Sequence, residues 1–179
     1  MKKYWAMPFA LLLSGCINAP NGLQRDQADI LAMNKIRQQD YSCQCKRVRL
    51  GGKILNATAL KNQTKLEVFS QNISLFSAKP ILDDYSDGRF IAYIDGFIDP
   101  ASLTDHYITV AGILSGQQQG YIDQAHYTYP IIQVTHYKRW RVGQESYYDP
   151  EDWADYREAR RMGWGYAFPP EPKLRTVLY

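Results

Sequence analysis

Three basic side chains, Arg47, Arg49 and Lys53, stand on one parity of a stretch whose alternate positions are mostly apolar. A period of two predicts a half-buried strand over residues 46–56 with the three cations on its exposed face. Such a face could bind the phosphate or acid groups of an anionic glycan or lipid head group, since OB-fold surfaces commonly bind oligomers. A merely solvated polar face would show the same pattern.

The other reactive side chains do not form a recognisable catalytic or metal-binding pattern. The histidines are scattered through the chain: His106, His126 and His136. None has metal-ligand spacing to a cysteine or carboxylate, and the acidic loop around Asp84 lacks the spacing of a calcium loop. The formal net charge of +3 gives no electrostatic argument for nucleic acid. We therefore expect no enzymatic activity, no cofactor, no metal and no nucleic-acid partner.

The N-terminus has the organisation of an export signal. Lys2 and Lys3 give it a positive start, and residues 4–13 form an apolar stretch interrupted only by Pro8. This stretch is too short to cross a bilayer, because a spanning helix needs roughly 20 residues. We therefore predict a removable signal peptide over residues 1–15.

The four residues Leu13-Ser14-Gly15-Cys16 resemble the lipobox of bacterial lipoproteins. The resemblance implies cleavage before Cys16 and lipidation of its sulfur, and several acyl chains would attach the protein stably to a membrane. No aspartate follows Cys16, which implies sorting to the outer membrane, with the domain facing the periplasm. An ordinary signal peptide that ends near a cysteine is the alternative. Residues 16–40 would then hold the lipidated end, a polar tether and a short helix within residues 26–37.

Cys43 and Cys45 would remain as an even pair in an oxidising compartment. In an extended strand their Cα atoms would be about 6.6 Å apart, at the edge of what a disulfide tolerates. Bridging them would require a bent backbone at Gln44. A strained, reducible disulfide and two free or separately paired thiols both remain open.

Aromatic and β-branched residues favour a mainly β domain. The chain has 14 tyrosines, which suit strands better than long helices. Residue patterns predict strands at residues 46–56, 64–69, 88–97, 106–114 and 129–140, with a Gln-rich loop before the last. Gly51-Gly52 predicts a sharp bend in the first strand. Five strands, with a short element opened by Pro100 between the third and fourth, predict a small OB-like barrel over residues 41–142.

Residues 143–179 are expected to form a C-terminal helix followed by an aromatic, proline-rich tail. Asp149 can cap a helix, Pro150 suits its first position, and Arg160 and Arg161 precede Gly163. These signals predict a helix over residues 150–162. The tail at residues 164–170 could pack along the barrel or present an exposed strip to a partner.

The lipobox and a set of glycines and aromatics together resemble the Slp family of starvation-inducible outer-membrane lipoproteins. The matching segments are Gly51-Gly52-Lys53-Ile54, Gly88-Arg89-Phe90, Gly96-Phe97-Ile98-Asp99-Pro100, Val110-Ala111-Gly112, Gly116, Gly120, and the pair Tyr127 and Tyr129 before Pro130. Glycines mark bends and Asp99-Pro100 marks a turn, so these motifs describe a fold rather than a catalytic site. The resemblance implies an outer-membrane protein of starvation or stress, and no activity.

Two functions are therefore expected from the sequence. The first is a structural or interaction lipoprotein of the outer membrane that engages another envelope protein and is attached to the membrane through Cys16. The second is a binding module in which Arg47, Arg49 and Lys53 grip an anionic envelope glycan or lipid head group.

Overall fold

The computed structural model describes residues 18–82, 85–163 and 168–179. The predicted lipobox at residues 13–16, Asp83 and Asp84 of the acidic loop, and residues 164–167 of the predicted tail lie outside the described residues. Within the described part, no helix has the length and apolar character needed to cross a membrane.

Five strands form one closed sheet: β1 (Arg47–Ala59), β2 (Gln63–Gln71), β3 (Gly88–Asp95), β4 (Tyr107–Ile122) and β5 (Ala125–Trp140). They pair in the order β1-β2-β3-β5-β4, and β1 also pairs with β4, which closes the barrel. The β3–β5 pairing is parallel, and the 3₁₀ helix Pro100–Leu103 lies between β3 and β4. The predicted mainly β fold with five core strands is confirmed, whereas its OB-like character stays a prediction.

Strand β1 closes the barrel because it serves two neighbours. Its first half pairs with β4 and its second half with β2, and Gly51 and Gly52 belong to both pairings. At Gly52 the backbone lies so close to the carbonyl of Phe69 that a Cβ atom would overlap it. A residue without a side chain is therefore required where the strand turns from one partner to the other.

The core of the barrel is a single apolar cluster with contributions from every barrel strand. Leu66, Phe90, Val110 and Ile132 are fully buried in it. Leu103, from the 3₁₀ helix between β3 and β4, is fully buried in the same cluster. Burial of one such side chain contributes about 1.5–3 kcal/mol, so the cluster is the main source of stability for the barrel.

The hairpin of β4 and β5 extends well beyond its predicted length. A Gln-rich loop was expected after residue 114, but β4 continues to Ile122 and β5 already begins at Ala125. That prediction is wrong because the two strands satisfy each other's backbone groups whatever their side chains are. Cross-strand polar bonds also contribute, since Thr128 Oγ1 donates to Gln119 Oε1 at 3.0 Å.

The chain ends in a second, two-stranded sheet formed by β6 (Val142–Tyr147) and β7 (Lys173–Leu178), with helix α1 (Pro150–Arg161) between them. We call these three elements, together with the described residues that connect them, the C-terminal arm. The predicted helix is confirmed, and it ends one residue earlier than predicted. Asp149 caps it as expected, since its carboxylate accepts a hydrogen bond from the Glu151 N–H at 3.0 Å. Neither strand of the arm was predicted.

Candidate functional site

The predicted tether, residues 19–27, contacts β1 through Leu23, and the chain after it pairs with the same strand through Ile30. Leu23 is 1% exposed, and its carbonyl accepts a hydrogen bond from Nη1 of Arg49 at 2.8 Å. Ile30 forms a parallel bridge with Val48, and its carbonyl accepts from the Arg49 N–H at 2.9 Å. The end of the tether is therefore fixed to the barrel by both side-chain and backbone contacts.

The same contacts determine the local structure of residues 26–37, for which a short helix was expected. This stretch contains 3₁₀ helices at Arg25–Gln27 and Met33–Lys35. Between them, the N–H groups of Asp29 and Ile30 donate to the carbonyl of Arg47 at 2.8 and 3.1 Å. Backbone groups that bond to β1 are not available for a continuous helix.

Arg49 is the buried centre of this contact. Its side chain is 0% exposed, and Nε and Nη2 have no hydrogen-bond partner among the described residues. Burial lowers the pKa of Arg49, and the charge of Arg25 acts in the same direction. The prediction that Arg49 lies on an exposed strand face is wrong, because the segment containing Leu23 covers that side of β1.

The two other residues of the predicted basic face are exposed but do not act with Arg49. Arg47 has 55% of its side chain exposed, and its Nη2 lies 3.6 Å from Oδ1 of Asp29. Lys53 is exposed and borders a shallow depression with Pro100 and Thr104, near the 3₁₀ helix. The structure therefore does not bring the three predicted cations together at one surface.

A second buried polar contact lies on the outer face of β4. Nε1 of the buried Trp140 donates to Oγ1 of Thr109 at 3.0 Å, and that hydroxyl donates to the carbonyl of Ala78 at 2.5 Å. Lys79 and Lys138 place their ammonium groups 5.6 and 5.7 Å from the centroid of the Trp140 ring. Trp140 thus joins β5 to the loop between β2 and β3, beneath two cations.

A groove beside this contact is lined by three cationic side chains. Lys138, Arg139 and Arg141, at the end of β5, line it together with His106. We call this surface the basic groove. It was not predicted, although the sequence signal is visible as three cations within four consecutive residues, 138–141.

Cys43 and Cys45 are joined by a disulfide in the structure, with their Cα atoms 5.2 Å apart. The separation is shorter than in a fully extended strand. The backbone is bent at Gln44, as the sequence required for a bridge, because Gln44 lies in a turn between the 3₁₀ helix Gln38–Ser42 and β1. The two cysteines thus lie where the N-terminal segment enters the barrel.

The remaining candidate side chains are not gathered into one site. His106 contacts the carbonyl of Thr104, His126 lies beside Tyr121, and His136 lies elsewhere on β5. No group of three or more His, Cys, Asp and Glu side chains suited to a metal ion occurs among the described residues.

The C-terminal arm exposes apolar side chains to solvent. Helix α1 has no buried residue, and its Trp153 packs edge-on against Tyr148, with ring centroids 5.8 Å apart. Phe168 is 85% exposed, and Met162 and Leu174 are also largely exposed. The arm is therefore a candidate surface for another protein.

Comparison with known proteins gives one family. The model described as "Outer membrane lipoprotein Slp family" matches residues 13–170. An uncharacterized protein of Haemophilus influenzae is 48% identical over 141 residues, covering 79% of this chain and 77% of the relative.

Two relatives from Escherichia coli K12 match over nearly the whole chain. The uncharacterized lipoprotein YeaY is 29% identical over 189 residues, covering 99% of this chain and 95% of that protein. Outer membrane protein Slp is 27% identical over 175 residues, covering 97% and 88%. No solved structure matches the chain.

Proposed function

Because the chain belongs to the outer membrane lipoprotein Slp family, we propose that acyl chains on Cys16 hold it on the outer membrane. Its domain then faces the periplasm and serves as a structural or interaction module during envelope stress or starvation. The proposal includes no enzymatic activity.

The family match carries this proposal. It begins at residue 13 and so includes the lipobox residues Leu13, Ser14, Gly15 and Cys16 as well as the barrel and α1. Two or more acyl chains on one cysteine are sufficient for stable attachment to a membrane, whereas a single acyl chain gives only marginal binding. The structure supports a short connection to that anchor, since the chain is fixed to the barrel from Leu23 onward.

Fractionation of cells tests the anchor. Wild-type protein is expected in the outer-membrane fraction, with an N-terminal peptide whose mass includes acyl groups on Cys16. Cys16→Ala is expected to abolish the modification and prevent outer-membrane attachment. The matched control is the double variant Cys43→Ala/Cys45→Ala, which removes the other two cysteines and their disulfide and should keep the membrane location. Outer-membrane attachment of Cys16→Ala equal to that of the wild type would contradict the proposal.

The interaction role is supported by the exposed apolar side chains of the C-terminal arm. A photo-crosslinking residue at Phe168 should trap a defined envelope protein in cells under starvation. The control probe is placed at Lys61, an exposed residue of the turn between β1 and β2. The role as an interaction module is contradicted if both positions trap the same background of neighbours.

A ligand-binding role is the second candidate, and one observation favours it. The predicted set of Arg47, Arg49 and Lys53 is not available as a unit, because Arg49 is buried. The basic groove, in contrast, has three exposed cations, Lys138, Arg139 and Arg141, among its lining residues. An anionic group is the ligand that such a surface fits.

A further inference from the structure

We infer that the basic groove docks on the anionic phospholipid head groups of the membrane that carries the protein. The inference rests on the proposed anchoring through Cys16 for its geometry, and on the charges of the groove for its chemistry. It assigns a membrane-facing side to the barrel.

The first observation is the charge of the groove. Lys138, Arg139 and Arg141 are exposed, and none of them is in the ion pairs found among the described residues. Asp105 is the one carboxylate side chain among the described lining residues. Since the whole chain has a formal net charge of only +3, this local excess of cations is not a consequence of a basic protein.

The second observation is the chemistry of the lining. Guanidinium groups present planar forks of donors that match phosphate oxygens, and an ammonium group adds a point charge. Nη1 of Arg139 lies 3.3 Å from Oγ of Ser102, which restrains one fork toward the groove. Tyr137 and Tyr179 also line it. Tyrosine is enriched at membrane interfaces because its ring is apolar and its hydroxyl is polar.

The third observation is the position of the groove relative to the anchor. Gly22 lies so close to the ring of His136 that a Cβ atom on it would overlap that ring. Lys138 follows His136 on the same strand at about 6.6 Å. The described chain begins at Asn18, four residues before Gly22. The N-terminal segment therefore contacts the same strand, β5, that carries Lys138.

These observations favour a lipid surface over a free anion. A short tether restricts the barrel to the neighbourhood of the head groups, so that even weak individual contacts occur at a high effective concentration. Each Lys or Arg near an anionic surface increases binding roughly fivefold, so three of them together contribute roughly 100-fold.

The test uses the mature chain, residues 16–179, with Cys16→Ser so that acylation has no part in the result. This chain includes every described element and all the described buried core residues. It is sedimented at low ionic strength with vesicles of phosphatidylglycerol and with vesicles of phosphatidylcholine, both at millimolar lipid. Binding to phosphatidylglycerol alone is expected, with loss at high salt as the charges are screened.

The decisive variant is Lys138→Gln/Arg139→Gln/Arg141→Gln, for which we expect roughly 100-fold weaker binding. The matched control, Lys61→Gln/Arg157→Gln/Arg160→Gln, removes the same number of exposed charges from the β1–β2 turn and α1. It should retain most of the binding. Circular dichroism and thermal unfolding of each variant verify that the changes on the surface leave the fold intact.

Three results would overturn the inference: equal binding to both lipids, equal loss in the two triple variants, or no binding of the wild-type chain to either lipid. Competition by a soluble phosphorylated glycan at the same phosphate concentration would assign the groove to a glycan instead. Because the assay uses unacylated protein, its failure is distinct from a failure of Cys16 to anchor the chain in cells.

Discussion

Replacement of the buried Arg49 by methionine is expected to stabilise the protein. Removing a guanidinium from water costs several kcal/mol even after relaxation of the protein. In the structure this cost is offset by one side-chain hydrogen bond, to the carbonyl of Leu23, while Nε and Nη2 are unpartnered. A bond from a charged donor contributes about 1.5–3 kcal/mol. Burial of the Arg49 charge therefore destabilises the fold by more than its hydrogen bond to Leu23 stabilises it.

Methionine keeps most of the apolar stem of Arg49 and removes the charge. Allowing about 1–2 kcal/mol for the Leu23 carbonyl that loses its donor, we expect the free energy of unfolding to rise by about 1 kcal/mol in Arg49→Met. Arg49→Ala additionally leaves a cavity, so it should be less stable than Arg49→Met by about 2–5 kcal/mol. For a chain of this size, each 1 kcal/mol corresponds to roughly 2–4 °C in Tm.

Urea unfolding of the mature chain measures the free energy of unfolding of both variants. The values can be compared if the m-value is the same as in the wild type. Arg47→Met is the matched control on the same strand, because its exposed ion pair with Asp29 should contribute less than about 1 kcal/mol. A fall of more than about 1 kcal/mol in Arg49→Met would refute the reasoning. It would mean that the guanidinium is satisfied in solution by a group that offsets its burial.

Two further predictions concern the β4–β5 hairpin. Burial, and next the charge of Glu67, raise the pKa of Tyr129, so the unfolded chain loses this proton first as the pH rises through about 10. The free energy of unfolding should therefore fall as the pH rises above about 10. In Tyr129→Phe the urea midpoint should fall less steeply with pH than in the wild type. Equal slopes for the two proteins would count against a buried phenol at this position. Gly112→Ala would press a Cβ atom into the carbonyl of Gln133 on β5. It should lower the free energy of unfolding by about 3 kcal/mol, and a normal urea midpoint would show that the two strands can separate at this point.

Much of the fold was predictable because its signals are local. The start and end of α1 follow from Asp149, Pro150 and Gly163, which act within one helical turn of the residues they influence. The strands of the barrel follow from alternation over a few residues. The extension of β4 to Ile122 was missed because its stability comes from pairing with β5, and polar side chains conceal it.

The site was less predictable because it depends on contacts between segments that are distant in the sequence. Alternation correctly places Val48 and Leu50 toward the core, and it assigns Arg49 to the opposite face. It carries no information on what covers that face. The basic groove could have been noticed as a run of cations, but its lining by His106 and Tyr179 depends on chain segments far from β5.

The sequence by itself determined the mainly β class, the helix after Asp149 and the expectation of lipidation at Cys16, because each depends on residues that are neighbours in the chain. Tertiary structure alone decided that Arg49 is buried and that Lys138, Arg139 and Arg141 are exposed and take no part in the ion pairs of the described residues. The covering contact joins Arg49 to Leu23, 26 residues away. Solvent exposure depends on which segment packs against a surface. The alternation of residues within one strand does not show which distant segment that is.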